Sequence, residues 1–276
     1  MFENEIHNFL IINQIAFEEK YSLSIFKTYF LPQHKLYLHL ISLQKFQESD
    51  LDIHYFQNLS EQSNAQGLRI IHIWEDVWES EQDLVKSRIL ATTGTFKRLN
   101  ARHCFIERID KPTSDKFLND NHLQGSVSVK FKYGLFLKPQ YVEKYLANQD
   151  ATKQLIAVAT FSGGRLMKEG TRAGQRSYEL IRFASLRGYA VMGGMDKLLK
   201  AFELEHNPDD IMSYTDRDWS DGRSYEILGF ERIDTAEPQS FILDIRTFRR
   251  YSVMVNIENS IKVFNSGSIK FIKKIA

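Results

Sequence analysis

The segment from residue 211 to residue 230 constrains the fold more than any other part of the sequence. It begins with a short apolar strand pattern at 211–214 and breaks into a polar turn at 216–222. It then continues as a helical turn that carries Tyr225 and is closed by Gly229 and Phe230. Open α/β folds bind their ligands where a strand ends and a helix starts. The segment therefore predicts a ligand site within an architecture of strands and helices.

The patterns around this segment predict a mixed sheet with flanking helices. Apolar runs and alternations typical of strands recur at 103–109, 127–137, 155–161, 178–184, 241–245 and 269–272. A helix is predicted over 111–119, with Pro112 in its first turn, and another over 195–205. Strands in succession, a helix after a Gly-Gly turn, then a strand and a short helix are typical of an α+β fold.

The first ninety residues form a separate block by the same criteria. Helices are predicted over 3–10, 14–21 and 59–65, strands over 35–40 and 68–74, and a helix that Asp76 caps and that runs to Ile89. The polar, basic residues 92–100 are typical of a linker. The predicted organisation is therefore a domain over 1–92, a linker over 93–102 and a domain over 103–276.

Composition narrows the function classes. The 276 residues are 43% apolar and 26% charged, which is typical of a globular chain, and the net charge of +1 excludes a global basic field for nucleic acid. The single cysteine, Cys104, excludes an internal disulfide and a CxxC zinc site, and the eight histidines show no metal-binding spacing. No apolar run reaches 18 residues and no secretory leader is evident, so we expect a cytoplasmic protein without a membrane partner or a metal.

The stretch GLRIIHIWEDVWESEQDLVKSRIL, at 67–90, resembles the closing strand and helix of phage-type endonuclease domains related to the very-short-patch repair nucleases. The resemblance covers roughly residues 1–92 and implies a restriction-endonuclease-like fold. The family's metal-binding strand motif reads E-L-D-I-Y, whereas this chain places Tyr37 where the metal carboxylate belongs. Glu5 remains, and Asp50 and Asp52 are the carboxylates that could substitute. Since hydrolysis of DNA needs a bound divalent metal, we expect a degenerate, nuclease-like domain.

Two other motifs resemble the GNAT superfamily of acyltransferases over about residues 103–246. Ser224 to Phe230, SYEILGF, is similar to the closing Y-E-K-L-G-F element of that family. The residues VMGGM lie between a predicted strand and helix, where the family has its pyrophosphate loop. The loop here departs from the usual Q/R-x-x-G-x-G, because its glycines are adjacent and Met195 takes the last glycine's place. The shared words NHLQG, ELIRF and SYTDRDWS also resemble phage-encoded proteins that fuse a nuclease-like to a GNAT-like domain, and DNA-modifying transferases of phage Mu type are more distant relatives by fold.

The resemblance implies an acyl donor, acetyl-CoA or a related acyl-CoA, whose pyrophosphate would meet main-chain N–H groups at a helix start. The candidate donor-binding residues are Val191, Met192, Gly193, Gly194, Met195 and Arg187. In the family, the tyrosine at the position of Tyr225 often protonates the departing thiolate, and a glutamate near Glu179 is a common general base. Packing of Tyr225 against Phe230 and an ion pair of Glu179 with Arg182 are the structural alternatives.

Three more residues are candidates for proton transfer. Asp216 and Asp218 follow directly from a strand end and could orient an amine, although aspartates in such turns also cap helices and form Asx-turns. His122, in NHLQG, could act as a base near neutral pH, or could simply be a hydrogen-bonding group.

The glycine-rich segment 162–176 carries four basic residues, Arg165, Lys168, Arg172 and Arg176. Together they could form a flexible arm that contacts DNA phosphates, or an ordinary surface loop. Three function hypotheses result. The first is transfer of an acyl group from a CoA-like donor to an amine, such as an amine of a DNA base. The second is a nucleic-acid-binding protein of phage or mobile-element origin without turnover, and the third is a metal-dependent endonuclease.

Overall fold

A computed structural model describes residues 2–146 and 152–275, and the chain divides into two compact units. Unit 1 comprises Met1–Lys86, Tyr214–Ser224 and Arg232–Lys270. Unit 2 comprises Ser87–Ser213, Tyr225–Glu231 and Phe271–Ala276. Neither unit is contiguous in sequence, in contrast to the predicted succession of domain, linker and domain. The predicted fold class, α+β with helices around mixed sheets, is confirmed.

The first hundred residues contain the elements α1 (Phe2–Ile12), β1 (Glu18–Lys20), β2 (Lys27–Leu31), β3 (Leu36–Ile41), α2 (Leu43–Gln47), α3 (Tyr55–Ala65), β4 (Arg69–Trp74), α4 (Glu75–Thr92) and β5 (Lys97–Asn100). The middle of the chain contains β6 (Cys104–Arg108), α5 (Lys111–Asn121), β7 (Phe131–Leu137), α6 (Pro139–Leu146), β8 (Gln154–Phe161), β9 (Arg165–Leu166), β10 (Arg176–Ser185), β11 (Tyr189–Met192) and α7 (Gly194–His206). The remaining elements are β12 (Asp210–Asp216), α8 (Arg223–Ile227), β13 (Glu231–Ala236), β14 (Ser240–Asp244), β15 (Arg249–Ser252), β16 (Ser260–Phe264) and β17 (Ser268–Lys274). Within the described ranges, no helix is both long enough and apolar enough to cross a membrane.

Unit 1 contains a four-stranded sheet in the order β1-β2-β3-β4. The first three strands are antiparallel neighbours, whereas β3 and β4 are parallel and are joined by a crossover that includes α3. Parallel neighbours need such a crossover because a tight hairpin would reverse the chain. The register pairs His39 with His72, so two imidazoles from distant parts of the sequence lie side by side.

The core of unit 1 is completed by residues from the end of the chain. Leu243 of β14 and Val263 of β16 are fully buried in one cluster with Phe46 and Trp74. A buried ion pair adds to this packing, since the guanidinium of Arg250 donates to both carboxylate oxygens of Asp76 at 2.7 and 2.9 Å. Residues 232–270 therefore belong to the same hydrophobic core as the first 86 residues, which sequence order alone does not suggest.

Unit 2 is built around a mixed sheet. Strands β6, β7, β8 and β10 are successive antiparallel neighbours, β12 pairs with β10 in parallel, and β17 follows β12. Helix α7 covers the sheet with Leu198, Leu199 and Phe202 buried. The Phe202 ring stacks on Phe161 with a centroid distance of 3.9 Å. This packing fixes the start of α7 relative to the strands of the unit.

Two predicted elements of the first block differ in the structure. Residues 14–21 were predicted as a helix, but Gln14 has a left-handed φ of 56°, the Ile15 N–H closes α1 on the Leu10 carbonyl, and residues 18–20 pair with β2. Asp76 was predicted as a helix cap, but α4 begins at Glu75. Its carboxylate binds Arg250 instead. In both cases a partner that is distant in sequence overrides the local pattern.

The predicted linker, 93–102, contains a strand. Residues 97–100 pair in parallel with residues 189–192. The last two of these, 191 and 192, lie in the predicted pyrophosphate loop. Leu99 is buried in this small sheet. Each of the two strands has only four residues, and about ninety residues separate them, so neither produces a recognisable periodicity.

The composite core of unit 1 leads to a stability prediction. Leu243→Ala should lower the free energy of unfolding by about 2–5 kcal/mol, because it leaves a cavity among Phe46, Trp74 and Val263. Chemical denaturation followed by fluorescence measures this loss. The matched control is Ile245→Ala, just after the same strand, where the side chain is 40% exposed. Equal, small losses for both variants would contradict the packing of residues 232–270 into unit 1.

Candidate active site

The strands β10 and β12 of unit 2 separate partway along their length. Their parallel pairing runs from Ser177 opposite Asp210 to Leu180 opposite Ser213 and stops there. Among the described residues, β10 continues to Ser185 in register with β8 only. In the part of the chain that the structure describes, no pairing with β12 uses the main-chain N–H groups on the other side of residues 181–185, while the Ile181 carbonyl accepts from the Arg182 side chain at 3.0 Å.

A bulge marks the same point on the opposite side of β10. The register against β8 shifts between Leu180 and Arg182. Bulges insert one extra residue, bend the strand and re-aim its groups, and they are common beside active sites. The end of pairing with β12 and the irregularity against β8 thus coincide within two residues of β10.

The hydroxyl of Tyr225 lies where the two strands separate. The Ser213 hydroxyl lies 2.9 Å from the Leu180 carbonyl and 3.0 Å from the Tyr225 hydroxyl. A carbonyl can only accept, so Ser213 donates its single proton to Leu180 and accepts from Tyr225. The phenol proton is thereby directed at Ser213 Oγ, at the point where β10 and β12 separate.

The surroundings of Tyr225 keep its phenol protonated. The ring stacks on Phe271 and meets Phe230 edge to face, both at a centroid distance of 5.3 Å. Burial raises the pKa of Tyr225, and the charges of Arg88 and Arg182 oppose this rise in part. Gly229, at a φ of 83°, allows the chain to turn so that Phe230 folds back on the ring. This geometry is compatible with both roles considered for Tyr225, a packing residue and a proton donor.

The charges of the same two guanidinium groups, Arg88 and Arg182, also act on His122. It caps the end of α5, and its Nδ1 accepts from the Gln124 N–H at 3.1 Å. Burial first, and then the charges of Arg182 and Arg88, lower the pKa of His122 to about 3. Its imidazole is therefore neutral at pH 7. Because Arg88 and Arg182 also influence Tyr225, these four side chains form one electrostatic cluster within unit 2.

The predicted pyrophosphate loop forms the start of α7. Gly193 caps the helix with a φ of 73°, and the helix begins at Gly194. A Cβ on Gly194 would lie 2.9 Å from the Val191 side chain, so a larger residue would displace the loop. The first N–H groups of a helix have no intrahelical acceptor, and the positive end of the helix dipole favours an anion there. Met192 and Gly193 are exposed, whereas Val191 is buried and Met195 is partly buried.

Arg187 lies in the turn before β11. Its side chain is exposed, and its N–H donates to Asn121 of α5 at 2.7 Å. Glu179 lies in the paired part of β10, with its N–H bonded to the Ser162 hydroxyl at 2.9 Å. Both residues belong to unit 2, as do Tyr225, His122 and the loop.

Asp216 and Asp218 belong to unit 1, and both shape a turn. Asp216 accepts from the Asp218 N–H at 3.0 Å, as in an Asx-turn. Asp218 is buried, and its carboxylate accepts from the N–H of Ser266 at 2.9 Å and from the Ser266 hydroxyl. Burial raises the pKa of Asp218. These contacts are those of aspartates that shape a turn, which was the alternative to a catalytic role. A role for either residue in proton transfer stays a prediction.

The basic run divides into two kinds of residue. Arg165, Lys168 and Arg176 are exposed on the segment formed by β9 and the start of β10. Arg172 instead binds the buried carboxylate of Asp210, with Nε at 3.0 Å from Oδ2, and also contacts Ser177. The first three residues can contact a polyanion, whereas the guanidinium of Arg172 is engaged within the unit.

The residues of the nuclease resemblance have structural contacts in unit 1. Glu5 accepts from Trp78 at 3.0 Å and from Gln82 at 2.8 Å, and Tyr37 pairs with Phe30 in the sheet. Within residues 2–146 and 152–275, no group of three or more His, Cys, Asp or Glu side chains is arranged to hold a metal ion.

Sequence reasoning missed two residues of the site in unit 2, Ser213 and Arg88. Ser213 was included in the strand before the polar turn but not given a role; its position at the strand end was the available signal. Arg88 lies within α4, in a segment assigned to the first block, and no local pattern marks it.

Comparisons with known proteins give similarities only at the level of structure. No protein-family model matches the chain, and no curated protein is similar to it in sequence. The chain is similar to the ribosomal-protein-S18-alanine N-acetyltransferase from Escherichia coli, with 11% identity and a TM-score of 0.37, over 63% of this chain and 94% of that one. It is also similar to a Bacillus subtilis acetyltransferase in complex with CoA (14% identity, TM-score 0.34, 63% and 99% covered) and to Arabidopsis thaliana Naa50 in complex with a bisubstrate analogue (14%, 0.33, 63% and 99%).

Proposed function

We propose that this protein is a GNAT-like acyltransferase that moves an acyl group from acetyl-CoA, or a related acyl-CoA, to an amine. One observation carries the proposal. The β10–β12 pairing ends at Leu180 and Ser213, and the Tyr225 hydroxyl lies at that point, 3.0 Å from Ser213. A gap between strands that exposes main-chain donors beside a protonated phenol combines an oxyanion site with a general acid.

The donor would use two sets of main-chain N–H groups. Those of residues 181–185 that face away from β8 can bind the thioester carbonyl and the amides of an extended pantetheine arm. Those at the start of α7, exposed at Gly193, can bind the pyrophosphate. The exposed guanidinium of Arg187 adds positive charge before the loop. These groups suit a long ligand that is amide-rich in the middle and anionic at one end.

In the reaction, the thioester would supply an activated acyl carbon. The residues of unit 2 would stabilise the negative charge that develops on the carbonyl oxygen and on the leaving sulfur. Donors on β10 would stabilise negative charge that develops on the carbonyl oxygen. Tyr225 would give its proton to the leaving sulfur, and its contact with Ser213 holds the phenol where the strands separate. The raised pKa of Tyr225 keeps the proton on the phenol before the sulfur departs.

The amine must lose a proton as it attacks. His122 is neutral because burial and two arginines hold its pKa at about 3, but its Nδ1 lone pair accepts from the Gln124 N–H. To act as the base, His122 would have to release this hydrogen bond. Glu179 is the alternative base on β10.

Three exposed cationic side chains favour DNA as the acceptor. Arg165, Lys168 and Arg176 are exposed in the same unit and can contact phosphates. We infer a transferase that acts on an amine of a DNA base. The nuclease-like character of residues 1–92 is part of the same proposal, as a docking module of phage or mobile-element origin.

The donor site can be tested by charge at position 193. Gly193→Asp places a carboxylate at the N-terminus of α7, where the pyrophosphate would bind, and should weaken acetyl-CoA binding at least about tenfold. Gly193→Asn is the matched control, because asparagine has the same shape and tolerates a positive φ equally well. Isothermal titration calorimetry measures both affinities. Equal affinities, or no binding by the unmodified protein, would contradict the donor site.

The general acid can be tested by removing one oxygen atom. Tyr225→Phe keeps the ring packing against Phe230 and Phe271 but has no proton to donate, so turnover should fall about 100-fold while acetyl-CoA affinity changes little. Thiol release from acetyl-CoA with duplex DNA as acceptor gives the rate. Tyr145→Phe on α6 is the control for loss of a tyrosine hydroxyl. A variant at position 225 that retains full turnover would rule out this role.

The acceptor can be tested by salt dependence and product analysis. Replacing Arg165, Lys168 and Arg176 together by alanine should reduce the slope of log affinity for DNA against log salt by about 3, one unit for each lost phosphate contact. Lys116→Ala on α5, also exposed, should leave the slope unchanged. Mass analysis of nucleosides from DNA incubated with protein and acetyl-CoA should show an acylated base. If it does not, while acetyl-CoA binds, then the acceptor is another amine.

A further inference from the structure

Unit 1 contains a chain of hydrogen-bonded side chains that the acyltransferase proposal does not use. The Tyr55 and Ser24 hydroxyls are 3.0 Å apart, and Ser24 Oγ lies 2.6 Å from His39 Nε2. His39 Nδ1 lies 2.8 Å from His72 Nδ1, and His72 Nε2 lies 2.9 Å from the Ser60 hydroxyl. Both imidazoles are fully buried on adjacent strands, whereas Ser24 and Tyr55 are only partly buried.

The contacts of His72 determine which atom donates and which accepts along this series of side chains. The main chain of Phe56 acts to raise the pKa of His72, as a nearby acceptor does, and the His72 Nδ1 already faces His39. The His72 proton is therefore on Nε2, so its Nδ1 accepts from His39 Nδ1–H. His39 is then left with an unprotonated Nε2, and this lone pair faces the Ser24 hydroxyl. The strand register that places His39 beside His72 holds the arrangement.

Ser24 opens into a cavity of about 830 Å³ on the surface of unit 1. Tyr55 lines the cavity together with the apolar Leu23 and Ile25, the cationic Lys27 and Lys45, and the acidic Glu3 and Glu19. A serine hydroxyl that contacts a histidine lone pair, with a second group orienting that histidine, is the arrangement that activates a serine nucleophile. In this chain His72 takes the orienting position that a carboxylate often occupies.

We propose that Ser24 is a nucleophile, with His39 as its base and His72 as a positioning residue, and that the cavity binds carboxylic esters. Ser24 Oγ forms a bond to the acyl carbon while its proton passes to His39 Nε2. The ester C–O bond then breaks, and the leaving alkoxide takes that proton to depart as an alcohol. Water attacks the acyl-serine, gives a proton to His39, and the acid is released as that proton returns to Ser24.

The Tyr55 hydroxyl and the neutral state of both imidazoles support the reaction. The Tyr55 hydroxyl, at 3.0 Å from Ser24 Oγ, can donate to the oxyanion that forms at the acyl carbon. Burial, reinforced by the proximity of the other ring, lowers the pKa of His39, and burial lowers that of His72 to about 3, so both imidazoles are neutral before the reaction starts. His39 can therefore act as an acceptor at neutral pH, when a protonated imidazole could not.

The experiment uses the full chain and two probes, diisopropyl fluorophosphate for covalent labelling and p-nitrophenyl acetate for turnover. Peptide mass spectrometry should find one phosphoryl group per chain, on Ser24. Ser24→Ala should abolish labelling, while Ser22→Ala, an exposed serine that lines the same cavity, should leave it unchanged. Folded wild-type protein that remains unlabelled at Ser24, or that is labelled equally at Ser22, would overturn the proposal.

Variants of the histidines separate activation from structure. His39→Gln should slow labelling and ester turnover about 100-fold. His72→Asn keeps an oxygen acceptor for His39 Nδ1–H and should retain most of the rate, whereas His72→Leu removes it and should lose about tenfold or more. If His72→Asn and His72→Leu, at equal melting temperature, react at the wild-type rate, then His72 has no positioning role. The wild-type labelling site decides the question even where a histidine variant does not fold.

Discussion

The hydrogen bond from Tyr225 to Ser213 organises the candidate active site of unit 2. Ser213 is the last residue of β12 that pairs with β10, and its hydroxyl donates a hydrogen bond to the Leu180 carbonyl at the same point. The hydrogen bond with Ser213 therefore positions the Tyr225 hydroxyl where the strands separate. Its ring packing with Phe230 and Phe271 holds the phenol there. Loss of this contact would leave a sheet with a gap but without an acid beside it.

Unit 1 depends on a different constraint, the parallel pairing of β3 with β4. This register puts His39 beside His72 and buries both, and a buried imidazole is tolerated only when its nitrogens have partners. Ser24 and Ser60 supply those partners at the two ends. The same requirement that makes the pair stable also places a serine hydroxyl against a histidine lone pair at the edge of a cavity.

Local patterns in the sequence predicted most of the regular elements. The strands at 155–161 and 178–184, the helix from 195 and the short helical turn at Tyr225 agree with the structure within a few residues. Non-local pairings were not predictable in this way. The pairing of β5 with β11, the packing of residues 232–270 with the first block, and the contact between His39 and His72 each join residues far apart in sequence. Motif resemblance predicted candidate residues of unit 2 such as Tyr225, whereas the contacts of Ser213 and Arg88 with Tyr225 depend on the folded structure.

Protection of main-chain amides on donor binding tests the central claim most directly. Hydrogen–deuterium exchange of the full chain, with and without coenzyme A, reports on each segment of β10 and α7 separately. The account predicts slower exchange at residues 181–185, where pairing with β12 has ended, and at residues 193–197, with little change at 177–180, which are already paired. Unchanged exchange at both segments under saturating coenzyme A, or protection confined to other parts of the chain, would contradict it.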